Sequence, residues 1–191
     1  SDPPQITVSP NVDTPGSAPI EILVTDKGAG LKSVTATLSQ GGTEHKLAAE
    51  QFERPMGEKK VAVALAKVPG VKEGPAVLRV AARDASLWRY LAGNEAAFEK
   101  NITIDITPPT LELVADDRYV NFGGVGAIVY KASPDTATSG VKIGDHFFRG
   151  FPGQVKDRPD HYLALFAHPY NVAPEVRPTL VATDKAGNTR E

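Results

Sequence analysis

Polar and apolar residues alternate after each of two Pro-Pro pairs: Gln5-Ile6-Thr7-Val8 follows Pro3-Pro4, and Thr110-Leu111-Glu112-Leu113 follows Pro108-Pro109. A period of two sends successive side chains to opposite faces, so each stretch predicts a half-buried strand. Proline directly ahead of a strand fits a first strand lying at a sheet edge. Further short runs read the same way: Ser33 to Leu38, Val61 to Leu65, Pro75 to Ala82, Ala127 to Tyr130 and Tyr162 to Ala167. Each has four to eight residues and is bounded by Gly, Pro, Asn or Asp, the punctuation of antiparallel sandwiches. Lys46 to Phe52 admits a single helical turn.

The double prolines head two copies of one plan. In the first copy, Asp26-Lys27-Gly28-Ala29-Gly30-Leu31 leads into the Ser33 strand; in the second, Asp135 through Ser139-Gly140-Val141 leads into Lys142-Ile143. Both copies close on an aspartate, Val80-Ala81-Ala82-Arg83-Asp84 matching Leu180-Val181-Ala182-Thr183-Asp184. The second continues directly as Lys185-Ala186-Gly187-Asn188, whereas the first reaches Gly93-Asn94 only after an insertion, Ala85 to Ala92. Shared order and near-equal spacing argue against chance. The fold predicted is all-β, two tandem immunoglobulin-like β-sandwich domains covering 1–107 and 108–191. After the second corner only Thr189-Arg190-Glu191 follow, so the second sandwich is expected to lack its closing strand, as in a chain cut short.

Composition narrows the function. Lys plus Arg is 21 and Asp plus Glu 23, for a net charge of −2, and each half of the chain carries −1. There is no basic face to neutralise phosphates, which argues against a nucleic-acid partner. No apolar run approaches the ~20 residues that span a bilayer. The chain has no cysteine, which removes disulfides, thiolate metal sites and cysteine nucleophiles together. It opens on Ser1 without a charged-then-apolar leader, the reading of a processed product whose signal peptide or anchor has gone.

Catalytic patterns are missing. Neither His-Glu-x-x-His nor His-x-His occurs; His45, His146, His161 and His168 are scattered, and the last two, seven residues apart along a strand, point to opposite faces. Gly123-Gly124-Val125-Gly126 lacks the spacing of a phosphate loop and reads as a turn or bulge. Asp116-Asp117 with Asp135 or Asp145 offer hard oxygens but no calcium-loop spacing. Asp84 and Asp184 recur at one place in both copies, which reads as a structural cap rather than a pair of catalytic acids. No catalytic residue, metal ligand or cofactor is therefore expected within these 191 residues. The insertion in the first corner is different. Ser86 to Asn94 carries the one tryptophan, and Trp88-Arg89-Tyr90 has the composition of an interface or a sugar-stacking platform. The competing reading has Leu87 and Trp88 fold back to plug the sandwich end.

Several longer phrases resemble a known family. They are Asp84-Ala85-Ser86-Leu87-Trp88-Arg89 and Ile104-Asp105-Ile106-Thr107-Pro108-Pro109, then Ser139 through Phe148 with Gly150-Phe151-Pro152, Leu165 through Tyr170, and Leu180 through Asn188. Together they are similar to the non-catalytic N-terminal part of lysostaphin-type (LytM-like) zinc metallopeptidases, bacterial envelope enzymes that cut peptidoglycan cross-links. The resemblance covers most of 75–190 and is weak over 1–74. It implies a periplasmic or envelope location and a parent that is a zinc metallopeptidase, a peptidoglycan hydrolase, with zinc held in a peptidase domain downstream. It also implies an ancillary role for this chain, positioning or restraining that domain, with the domain itself, peptidoglycan or another envelope protein as partner. A structural or adhesive envelope module unconnected with hydrolysis is the alternative.

Overall fold

The computed structural model describes residues 2–87, 92–116 and 124–191. The chain divides into two compact units, Ser1–Ile106 and Thr107–Glu191. Among the described residues the regular structure is strand apart from one 3-10 turn, Leu65–Lys67.

In the first unit, β1 (Gln5–Ser9), β2 (Ile20–Thr25) and β5 (Glu58–Val63) form one antiparallel sheet in the order β1-β2-β5. The strands β3 (Leu31–Gln40), β4 (Thr43–Met56), β6 (Gly74–Asp84) and β7 (Glu95–Ile104) form the other, ordered β4-β3-β6-β7. Alternation decides what meets between them. Val8, Ile22 and Val24 from the first sheet share one buried cluster with Leu31, Val34, Leu38, Leu78 and Val80 from the second. The run from Lys46 to Phe52 is part of β4 and not a helical turn. Pairing of Lys46 to Gln51 with Thr37 through Ser33 fixes it as strand, because ladder bonds and half-burial of Leu47 and Ala48 outweigh a weak local preference.

The second unit uses β8 (Leu111–Asp116), β9 (Val125–Ala132), β12 (Phe151–Pro152) and β13 (His161–Ala167) in one sheet, ordered β12-β13-β9-β8. Its other sheet is β11-β10-β14-β15, from β10 (Thr136–Ile143), β11 (His146–Arg149), β14 (Thr179–Asp184) and β15 (Thr189–Arg190). The double prolines do precede edge strands, β1 and β8. The closing strand is represented by β15, whose two residues pair with Ala182 and Thr183. Asp135 does not play the part of Asp26: it is exposed, whereas Asp26 is 6% exposed and its Oδ1 accepts the amides of Gly28 (2.8 Å) and Gly30 (2.9 Å).

Tyr130 sits at the centre of the second unit. It is fully buried, stacks on Tyr162 at 5.4 Å between centroids, and its hydroxyl lies 2.7 Å from Ser139 Oγ on the opposing sheet. Burial pushes the phenol above its ordinary pKa, partly offset by the Ser139 bond. Tyr130→Phe should destabilise this unit by about 1–3 kcal/mol, because the buried Ser139 hydroxyl loses its partner. Urea unfolding followed by circular dichroism measures the loss; an unchanged midpoint would contradict it.

Candidate functional site

The expanded corner of the first unit is built on a lock. Asp84, the last residue of β6, has no exposed surface. Its Oδ1 accepts the amide of Asn94 (2.7 Å), the hydroxyl of Ser86 (2.7 Å) and the amide of Ser86 (3.1 Å); its Oδ2 accepts Asn94 Nδ2 (2.9 Å). The Asp84 amide in turn donates to the Asn94 carbonyl at 3.0 Å. Burial alone would raise the carboxyl pKa, but these donors, the Asn94 amide foremost, outweigh it and hold the group well below the ordinary carboxylate range. Gly93 makes the close approach possible: its φ is +79°, and a Cβ there would collide with the Asp84 carbonyl oxygen.

The second unit repeats the lock around a shorter loop. Asp184 Oδ1 accepts the Asn188 amide (2.8 Å), Oδ2 accepts Asn188 Nδ2 (3.0 Å), and the Asp184 amide donates to the Asn188 carbonyl (3.0 Å). Three residues separate this pair, against nine between Asp84 and Asn94. With its carboxylate oxygens committed to local donors, neither aspartate is placed as a general acid or base. Both do what the recurrence suggested, capping a strand end.

A second irregularity lies beside the expanded corner. In the ladder between β3 and β4, Leu31 pairs with Met56 and Ser33 with Gln51, so Lys32 has no partner and Phe52 to Pro55 bulge from β4. The ladder between β3 and β6 shifts at the same place. This break lets both Leu31 and Val34 point inward while re-aiming Lys32, a common use of a bulge. The result is a cleft of about 280 Å3 lined by Lys32, Phe52, Glu53, Pro55, Ser86 and Leu87 among others. Ala85 ties the corner to the neighbouring turn, its amide donating to Gly30 O at 2.8 Å. The cleft presents a half-buried aromatic ring, a cation, an anion and a hydroxyl, a mixture that suits binding.

Leu87, at the rim, is 79% exposed and so does not plug the sandwich end. Trp88, Arg89 and Tyr90 lie outside the described residues. Sequence reasoning missed Lys32, Phe52 and Glu53, because only pairing to a distant strand brings them beside the corner.

The four histidines occupy four separate settings. His146 donates through Nε2 to Asn171 Oδ1 (3.1 Å), and His168 through Nε2 to the carbonyls of Val172 (3.2 Å) and Ala173 (3.1 Å). His161 is buried with its Nδ1 2.9 Å from Asp160, a bond that lowers the Asp160 pKa, while His45 lies against Gly70. Asp135 and Asp145 are exposed, Asp117 lies outside the described residues, and Gly126 is part of β9. Among the described residues no group of three or more His, Asp or Glu side chains is placed to hold a metal ion, and no helix is long and apolar enough to cross a membrane.

No protein-family model matches the chain, and no curated protein matches it. Among solved structures, SGBP-B of the Bacteroides ovatus mixed-linkage glucan utilization locus, in complex with a mixed-linkage heptasaccharide, aligns at 17% identity with a TM-score of 0.31. The alignment covers 99% of this chain but 45% of that one, so this chain spans less than half its length. A likeness at that level fixes neither fold nor function.

Proposed function

We propose that this chain is a non-catalytic binding module of the bacterial envelope, two immunoglobulin-like sandwiches in tandem, with ligand contacts gathered at the expanded corner of the first. The strand orders support the immunoglobulin-like reading, since β8-β9-β13-β12 and β11-β10-β14-β15 follow the order of such sandwiches. The observation that carries the binding reading is the Asp84–Asn94 lock. It holds both ends of a nine-residue loop on a rigid strand end, beside a cleft, where the Asp184–Asn188 lock holds only three residues. A loop enlarged on a fixed frame is how sandwiches present recognition residues.

The second reading makes the module the ancillary half of a cell-wall zinc metallopeptidase, positioning or restraining its peptidase domain. It rests on the resemblance of the phrases between Asp84 and Asn188 to lysostaphin-type enzymes. Zinc would then belong to the peptidase domain, and peptidoglycan or that domain would be the partner.

Cosedimentation with purified peptidoglycan sacculi tests the first reading. The chain should pellet with sacculi, and Leu87→Asp should weaken binding at least fivefold with an unchanged melting temperature, because Leu87 is exposed. Equal pelleting of both proteins would remove the corner from the binding site. Absence of pelleting, together with slower hydrolysis when the chain is added to a lysostaphin-type peptidase domain, would favour restraint. No effect in either assay would sink both readings.

A further inference from the structure

The outward faces of the sheets differ in character. On β3 and β6 the outward positions include Ser33, Thr35, Arg79 and Arg83, and the two arginines pair with Glu99 and Glu95 of β7. That is the polar face expected of a sheet with one side in water. On β9 and β13, alternation sends Ile128, Tyr130, Ala164 and Phe166 inward, where they are buried. The outward set is mostly apolar, Val125, Ala127 and Val129 on β9 with Leu163 and Leu165 on β13, and gives way to Lys131 and His161 at one end; Phe151 of β12 stands opposite Leu163. Val125, Leu165 and Phe151 are 70%, 60% and 54% exposed. Strands apolar on both alternations are the pattern of a sheet covered on both faces.

Arg149 fixes the chemistry of the cover. It is exposed, and its guanidinium stands 5.7 Å from the centroid of the Phe151 ring at the margin of this face. Among the described residues no carboxylate pairs with it. A purely apolar partner would strand that charge on docking, whereas a carboxylate would receive it in a desolvated, charge-assisted bond. A second copy of the chain brings another Arg149, and on the outward face Glu112 stands opposite a cation of its own sheet, Lys131. An arginine stacked on an aromatic beside aliphatic side chains is also the composition of interface hot spots.

We propose that the outward face of the β12-β13-β9-β8 sheet docks a protein partner whose contact surface is apolar and carries a carboxylate that Arg149 receives. The test places the photo-crosslinker p-benzoylphenylalanine at position 165 of the whole chain, in intact envelopes. A single protein adduct should form, mapping to an apolar peptide that contains Asp or Glu. Arg149→Glu should cut its yield at least tenfold at unchanged melting temperature, Arg149→Lys should keep most of it, and replacing the mapped acid by Lys should restore yield to Arg149→Glu. Yield indifferent to Arg149→Glu, adducts made only of two copies of this chain, capture of lipid alone, or no adduct would each overturn the proposal. Sacculus binding is read in parallel: its loss in Leu87→Asp with the adduct intact strikes the corner and not this face.

Discussion

Asp84→Ala should cost the first unit about 3–5 kcal/mol, among the largest losses available to a single substitution away from the hydrophobic core. The mechanism is specific. Removing the carboxylate strands the backbone amides of Asn94 and Ser86, which now donate to it, and takes from the Asn94 side-chain amide the shorter of its bonds, leaving that to Ser86 Oγ. Leaving buried donors unmet costs about 1–3 kcal/mol apiece, less whatever water recovers at the part-buried ones. Asp84→Asn should fall between wild type and Asp84→Ala. Its oxygen can still accept the two backbone amides, but its NH2 group meets the Asn94 Nδ2 donor across the lock. Hydrogen exchange at the Asn94 amide and denaturant midpoints for the three proteins measure the order. Equal midpoints for Asp84→Ala and wild type would show that the lock does not hold the loop.

The same carboxylate predicts a pH dependence. A carboxyl held below its ordinary range when folded binds fewer protons there than in the unfolded chain, so it contributes stability that is complete above the unfolded pKa of about 4. That contribution is lost as pH falls through the acid range toward the folded value. The gap in stability between wild type and Asp84→Ala should therefore be full and flat from pH 7 to 5 and should narrow below about pH 4. A gap that widened on acidification would contradict the depressed carboxyl.

Much of the frame is legible because it is local. The strands after Pro4 and Pro109 announce themselves by period-two alternation, and the Asp-x-Ala-Gly-Asn corner at Asp184 by glycine ahead of an amide side chain. Its partner at Asp84 is legible only through the repeat, since eight inserted residues separate the aspartate from Gly93. What stays hidden is set by pairing. Lys46-Leu47-Ala48-Ala49-Glu50-Gln51-Phe52 consists largely of good helix formers, and only its ladder to β3 makes it strand. The cleft at Lys32 depends on a register shift that no residue type signals. Asp135 matches Asp26 in order along the chain, yet without glycine amides wrapped around it the carboxylate stays in water. The apolar outward face escapes for a further reason: in His161-Tyr162-Leu163-Ala164-Leu165-Phe166-Ala167 both alternations are apolar, so no period separates inside from outside.

Gly140→Ala should destabilise the second unit by about 3 kcal/mol or more, lowering its melting temperature by more than about 10 °C for a domain of this size. Gly140 pairs with Arg149 on β11 and Val181 on β14, in the middle of its sheet. A Cβ added there would collide with the Phe148 carbonyl oxygen, far inside van der Waals contact, with the Phe148 carbonyl carbon at 2.9 Å and the Arg149 Cα at 3.0 Å. All three obstacles are backbone, so no side chain can swing aside; β10 and β11 must separate, weakening the ladder that carries Phe147 and Arg149. Because the cost is steric rather than torsional, the comparison is Gly57→Ala, where an added Cβ meets only the Asp26 carbonyl oxygen, at 3.9 Å. Gly57→Ala should be neutral or stabilising by a few tenths of a kcal/mol, since alanine restricts the unfolded chain more than glycine does. Thermal melts of the two variants separate the effects. Similar melting temperatures would mean that β11 yields freely at Gly140, and a strand that yields freely could not hold Arg149 in place for a partner.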